Sequence, residues 1–144
     1  MRQVATRCVL AALVVAAAGC GGGGHDDESR PANPQATAAC NASPLQGTPN
    51  LPARFPIVEH TTLTKQSKQG PTDVVEGYWQ GDLGDAHDDY AKAFRAAGYK
   101  ILFEELEEHD SEVSWQGQGR SGQVAFRDDC GGGKIYVHIT NRPA

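Results

Sequence analysis

Apolar and polar positions are distributed very unevenly along the chain, and three regimes follow one another. The first is an unbroken apolar run of 11 residues, Cys8 to Ala18, preceded by Arg2 and Arg7 and followed by Gly19-Cys20-Gly21. A helix that spans a bilayer needs roughly 20 apolar residues, whereas the apolar region of a secretory signal needs roughly 7 to 15. The run therefore predicts an export signal rather than a membrane span. The second regime, Gly21 to about Asn50, offers almost nothing apolar to bury. It cannot offset the entropy of ordering itself and is expected to be a flexible tether. The third regime, residues 51–144, alternates with clear periods and is expected to hold the folded domain.

Within that domain the periodicity predicts two strands, a helix and further strands. Ile57 to about Lys65 and Thr72 to Gln80 are rich in Val, Thr and aromatics and are separated by the turn-forming Gln-Ser-Lys-Gln-Gly-Pro. In the second strand Val75, Gly77 and Trp79 share the inward phase, while Glu76, Tyr78 and Gln80 share the outward one. Ala86, Tyr90, Ala93, Phe94 and Ala97 recur at helical spacing, with Asp85 as the expected cap and Gly98 as the stop. Tyr99 to about Leu106 begins as a strand through Ile101, Leu102 and Phe103, although Glu104-Glu105-Leu106-Glu107-Glu108 has helix propensity. His109-Asp110-Ser111 is expected to turn the chain. Val113 with Trp115, Val124 with Phe126, and Ile135, Val137 with Ile139 then alternate as strands, separated by glycine-rich turns. The expected fold class is α+β: a single helix packed on a largely antiparallel sheet, in the order ββαβββ.

The four cysteines refine this picture. Cys8 lies in the apolar run, and Cys20 follows it directly. Ala17-Ala18-Gly19-Cys20 resembles the lipobox of bacterial lipoproteins, in which signal peptidase II cuts before the cysteine and that cysteine carries the lipid. Ala17 stands where Leu is usual. The resemblance implies that residues 1–19 are removed and that Cys20 is the lipid attachment residue, with palmitate among the acyl groups. Each buried CH₂ contributes about 0.8 kcal/mol, so one acyl chain anchors marginally and two or more anchor stably. Cys40 and Cys130 then remain as a pair in an oxidising compartment and are expected to form a disulfide. A loop of 90 residues would stabilise by about 4 kcal/mol or a little more on a chain-entropy account. With Cys40 pinned to the domain, the 20 residues from Cys20 give a tether with an end-to-end distance of about 25 Å.

Charge excludes some functions. The full chain carries a formal charge of −5, and loss of Arg2 and Arg7 with the signal makes it −7. That balance, with export, argues against nucleic acid and against adhesion to an anionic membrane by charge alone. Localisation is therefore expected at the cell membrane or outer membrane, lipid-anchored and facing the periplasm or the cell exterior.

Candidate chemistry is sparse. Gly117-Gln-Gly119-Arg-Ser-Gly122 satisfies the dinucleotide pattern literally, but Gln123 to Arg127 alternates as a strand where that motif needs a helix, so a hairpin tip is expected. Six acids around His109, from Glu104 to Glu112, have carboxylate chemistry suited to calcium. Nothing fixes a coordination geometry there, and a solvated ridge is the expectation. Asp82, Asp85, Asp88 and Asp89 are explained by the helix start, and His25 with Asp26 and Asp27 by the solvated tether. Ser111, Ser114 and Ser121 with His109 and His138 lack any nucleophile elbow. No catalytic residue, metal site or cofactor is expected. The outward phase leaves Tyr78, Tyr136 and His138 as candidate surface contacts on the sheet face away from the helix.

The domain also resembles a loose group of small bacterial lipoproteins without an assigned activity, through Phe55-Pro56, the helix end Phe94-Arg-Ala-Ala-Gly98-Tyr99, Gly119-Arg-Ser-Gly122 and Cys130. That resemblance implies architecture and location only. The reading that results is a noncatalytic, membrane-anchored envelope lipoprotein that binds an envelope protein or contributes structurally. Small-ligand or divalent-metal binding is the alternative.

Overall fold

The computed structural model describes residues 33–144; the expected export signal, Cys20 and the first part of the expected tether lie outside them. Strands β1 (Thr61–Gln69), β2 (Thr72–Gln80), β3 (Lys100–Leu106), β4 (Asp110–Gly117), β5 (Arg120–Gly131) and β6 (Lys134–Pro143) form one six-stranded sheet. Their order is β1-β2-β6-β5-β4-β3, and every pairing is antiparallel. Helix α1 (Pro34–Asn41) precedes the sheet, and α2 (Leu83–Ala96) connects β2 to β3.

The mixed α+β class is thus present, but the count differs from ββαβββ. Four strands follow α2, and a second helix precedes β1. The acidic end of β3 does not turn helical because Phe103 to Leu106 pair residue by residue with Ser114 to Ser111 of β4. Ladder hydrogen bonds to a neighbouring strand outweigh propensity differences of a few tenths of a kcal/mol. The first strand starts later than its composition predicts and runs through Gln69, so the turn contracts to Gly70-Pro71.

The inward phases meet α2. Val75, Trp79, Val113, Trp115, Val124, Phe126, Ile135, Val137 and Ile139 are buried in one cluster with Ala86, Tyr90 and Phe94 of the helix. The rings interlock edge to face, as in Phe55 with Phe94 at 5.2 Å and Phe55 with Trp115 at 5.3 Å, an arrangement worth about 0.5–1.5 kcal/mol per pair beyond burial. Ala97, expected on the same stripe, is exposed because the helix has ended. Its N-cap is Asp82, three residues before the expected Asp85, and the Asp82 side chain accepts from the Asp85 N–H at 2.9 Å. At the other end Gly98 has φ +80°, the Tyr99 N–H reaches the Phe94 carbonyl and the Gly98 N–H that of Arg95. That left-handed exit favours glycine.

The glycine-rich tip between β4 and β5 is a two-residue turn, with Gln118 at φ 53° and Gly119 at φ 70°. Positive φ at both central positions matches the twist of a hairpin. No phosphate-cradling helix follows, since Arg120 begins β5.

Candidate functional site

The face of the sheet opposite α2 carries the candidate contact residues, and α1 lies across part of it. Asn33 caps α1 by accepting from the N–H groups of Gln35 and Ala36, and Pro34 opens the helix where a missing N–H costs nothing. Only small side chains, Ala36, Ala39 and Cys40, are buried beneath it. Its attachment is therefore largely polar and covalent. Cys40 is disulfide-bonded to Cys130, with the Cα atoms 5.8 Å apart. Cys130 sits where β5 breaks register between Arg127 and Gly131, the kind of bulge that re-aims a side chain. Asn33 Nδ2 donates to Asp129 Oδ2 at 3.2 Å, and Thr64 Oγ1 donates to the Ala39 carbonyl at 3.0 Å. Lys134 Nζ donates to the Cys40 carbonyl at 2.9 Å, placing a cation at the helix C-terminus.

Under this cover β2 and β6 bring together a buried polar group. Register sets Glu76 opposite His138 and Tyr78 opposite Tyr136. Tyr136 Oη donates to Glu76 Oε1 at 2.6 Å, and Lys65 Nζ pairs with Glu76 Oε2 at 3.0 Å. His138 Nδ1 lies 3.2 Å from Tyr136 Oη. Because the single phenolic proton is committed to Glu76, that contact is a hydrogen bond only if His138 Nδ1–H donates to the phenol oxygen. The direction of donation is then His138 to Tyr136 to Glu76, and Lys65 closes the chain.

The ionisation of these groups follows from their surroundings. Burial pushes the Glu76 carboxyl up, but the Tyr136 hydroxyl, the Lys65 ammonium and His138 outweigh it and hold it below the usual 4.5. Burial and the adjoining Glu76 charge raise the Tyr136 phenol far above its ordinary 10. Burial lowers His138 below its ordinary 6.5, against the opposing pull of Glu76, with Arg127 and Lys65 adding to the decrease. At neutral pH the group is an ionised carboxylate, a neutral phenol and a neutral imidazole. Both Glu76 oxygens, the Tyr136 hydroxyl, Lys65 Nζ and His138 Nδ1 are each engaged by another member, an arrangement that fixes their geometry.

Cys20 lies outside the described residues. Tyr136, read as an outward contact residue, is only 3% exposed because α1 packs over it. Tyr78 is half-buried beside it, with Lys134 Nζ 4.3 Å from its ring centroid; His138 is half-buried too. All three lie on that face, but α1 packs over Tyr136 and against Tyr78, so that part of the face is the floor beneath a helix rather than an open surface. The described end of the 20–50 stretch, expected as flexible tether, contains that helix. Glu76, Lys65 and Lys134 were not singled out by the sequence. The readable signal was Asn33-Pro34, a cap followed by proline at the first helical position.

A second buried pair lies on the α2 side. His87 Nδ1 and Ser111 Oγ are 2.6 Å apart, and Ser111 Oγ donates to the Glu105 carbonyl at 2.9 Å. The serine proton is thereby used, so His87 Nδ1–H donates to the serine and cannot act through that nitrogen as its base. The pair ties α2 to the β3–β4 hairpin. Among the described residues no group of three or more His, Cys, Asp or Glu side chains could hold a metal ion, and no helix is long and apolar enough to cross a membrane. Comparison with protein-family models, curated proteins and solved structures finds no match to this chain.

Proposed function

We propose that the chain is an exported lipoprotein anchored through a lipid on Cys20, whose domain works as a noncatalytic binding or structural module at the cell envelope. The observation that carries this reading is the Cys40–Cys130 bond. A cross-link of this kind persists in oxidising compartments outside the cytosol, in keeping with the cationic start, apolar run and small-residue approach to Cys20. The noncatalytic part rests on two side-chain groups tied up in hydrogen bonds: Glu76, Tyr136 and His138 with the exposed Lys65 on one face, and His87 with Ser111 and the Glu105 carbonyl on the other.

Cell fractionation with in-cell crosslinking tests the proposal. The native chain is expected in the membrane fraction with a reproducible crosslinked partner, and the Cys20→Ser chain in the soluble fraction without it. A Cys20→Ser chain that still sediments with membranes would overturn the anchor. A native chain that crosslinks to nothing would overturn the binding role.

A further inference from the structure

The two edges of the sheet are finished differently. Beside β1 the chain supplies its own cover: the Leu45 N–H donates to the Leu63 carbonyl at 2.7 Å, and the Asn50 N–H to Gln66 Oε1 at 3.0 Å. β3 has a single strand neighbour, β4, and among the described residues no other backbone segment hydrogen-bonds along it. Among the described residues, this bare edge also carries three of the four exposed large hydrophobic residues, Leu102, Phe103 and Leu106, each about half exposed. Natural edges are blunted with lysine, proline or a bulge. β3 carries Lys100 and one bulge, between Ile101 and Phe103, at its start, and beyond them four consecutive residues, Phe103 to Leu106, keep regular register with glutamates but neither lysine nor proline. An unpaired ladder and apolar side chains therefore coincide on one short stretch.

Charge selects the occupant. Residues 100–112 carry six carboxylates and a single lysine, Lys100. Within that strip Glu104 is paired with Arg95 of α2 at 2.7 Å, while Glu105, Glu107 and Glu108 are exposed. A second copy of this chain added edge to edge would bring two acidic strips together. An anionic lipid surface would be repelled in the same way. The geometry points to β3 as a docking edge for an extended protein segment that presents basic and apolar side chains on both of its faces, added as a seventh strand. Glu104 with Leu106 and Phe103 with Glu105 place one acid and one apolar group on each face of the edge. Main-chain hydrogen bonds would supply affinity, and the apolar and acidic side chains would select the sequence. This deepens the binding-module reading and rests on it.

The test uses the full chain in neutral detergent and a fluorescein-labelled seven-residue peptide of paired lysines and paired valines, which puts both residue types on each face of the strand. Its comparators are the glutamate–valine peptide and a lysine–valine peptide N-methylated along one edge. Fluorescence anisotropy should show saturable binding of the lysine–valine peptide alone. The double variant Phe103→Lys with Leu106→Lys, checked for an unchanged melting temperature, should bind about tenfold more weakly. No binding, equal binding of the glutamate–valine or N-methylated peptide, or an unaffected double variant would overturn the proposal. Concentration-dependent dimers dissolved by Phe103→Lys would overturn it in favour of a second copy. In cells, a photo-crosslinking amino acid at Phe103 should capture a protein, and one at Lys68 on the covered edge should not. Capture from other faces but not from position 103 would overturn the docking edge while leaving the binding role, and capture from no face would overturn both.

Discussion

Removing the Cys40–Cys130 bond, by Cys40→Ala together with Cys130→Ala, should free α1 while leaving the sheet and α2 folded. Without the covalent tie, three hydrogen bonds remain from Asn33, Thr64 and Lys134, each worth about 1 kcal/mol. Burial adds the methyl groups of Ala36 and Ala39 and the Tyr136 and Tyr78 surface that they cover. Against this stands the ordering of eight helical residues, at about 1–2 kcal/mol of backbone entropy each. Isolated helices below roughly 12–15 residues are marginal in water. The balance favours release of the helix. The main cluster contains no α1 residue, so the rest should persist. A 90-residue separation sets a chain-entropy contribution of about 4.6 kcal/mol, and detachment of α1 brings the expected global loss to about 2–4 kcal/mol. Hydrogen exchange with mass spectrometry, alongside urea denaturation, reads both. Amides of residues 34–41 should lose protection and those of β5 and β6 should keep theirs. Unchanged protection in α1, or a global change below about 0.5 kcal/mol, would refute the reasoning.

Three further outcomes follow from the same geometry. The folded-state value of His138 is depressed, so its contribution to stability is complete above about pH 6.5 and is lost as pH falls through the folded value; Glu76, held below 4.5, adds a second loss at lower pH. Urea midpoints measured from pH 8 to pH 3 should therefore decline on acidification, and His138→Gln should flatten the upper part of that decline. Tyr136→Phe removes the proton committed to Glu76, and should cost about 1–3 kcal/mol by denaturation and raise the Glu76 titration followed by carbon-13 NMR. Gly122→Ala places a methyl against the Thr140 carbonyl and the Trp115 ring, and should destabilise by about 1–3 kcal/mol, read as a lower melting temperature.

Where side chains are large and periodic, the sequence was sufficient. Val75 and Trp79, Val113 and Trp115, and Ile135, Val137 and Ile139 alternate because one sheet face meets α2. Ala86, Tyr90 and Phe94 recur at helical spacing for the same reason. The α1 segment has no such pattern, since Pro34-Gln-Ala-Thr-Ala-Ala-Cys-Asn41 is held by small residues, a disulfide and long-range hydrogen bonds. Propensity and period carry no information about partners 90 residues away. The cover over Tyr136 is illegible in the sequence for that reason. Alternation assigned Glu76, Tyr136 and His138 to the face away from α2, which is where they lie, but could not show that a helix from the expected tether packs over Tyr136. The acidic end of β3 illustrates the converse, a local helix preference overridden by pairing with β4.

Intact-mass and fragmentation analysis of the protein extracted from membranes tests the central claim most directly. The account predicts a mature chain that begins at Cys20, carries a diacylglyceryl group on its sulfur and retains the Cys40–Cys130 bond. A mature chain that begins elsewhere, with Cys20 absent or present as an unmodified thiol, would contradict it.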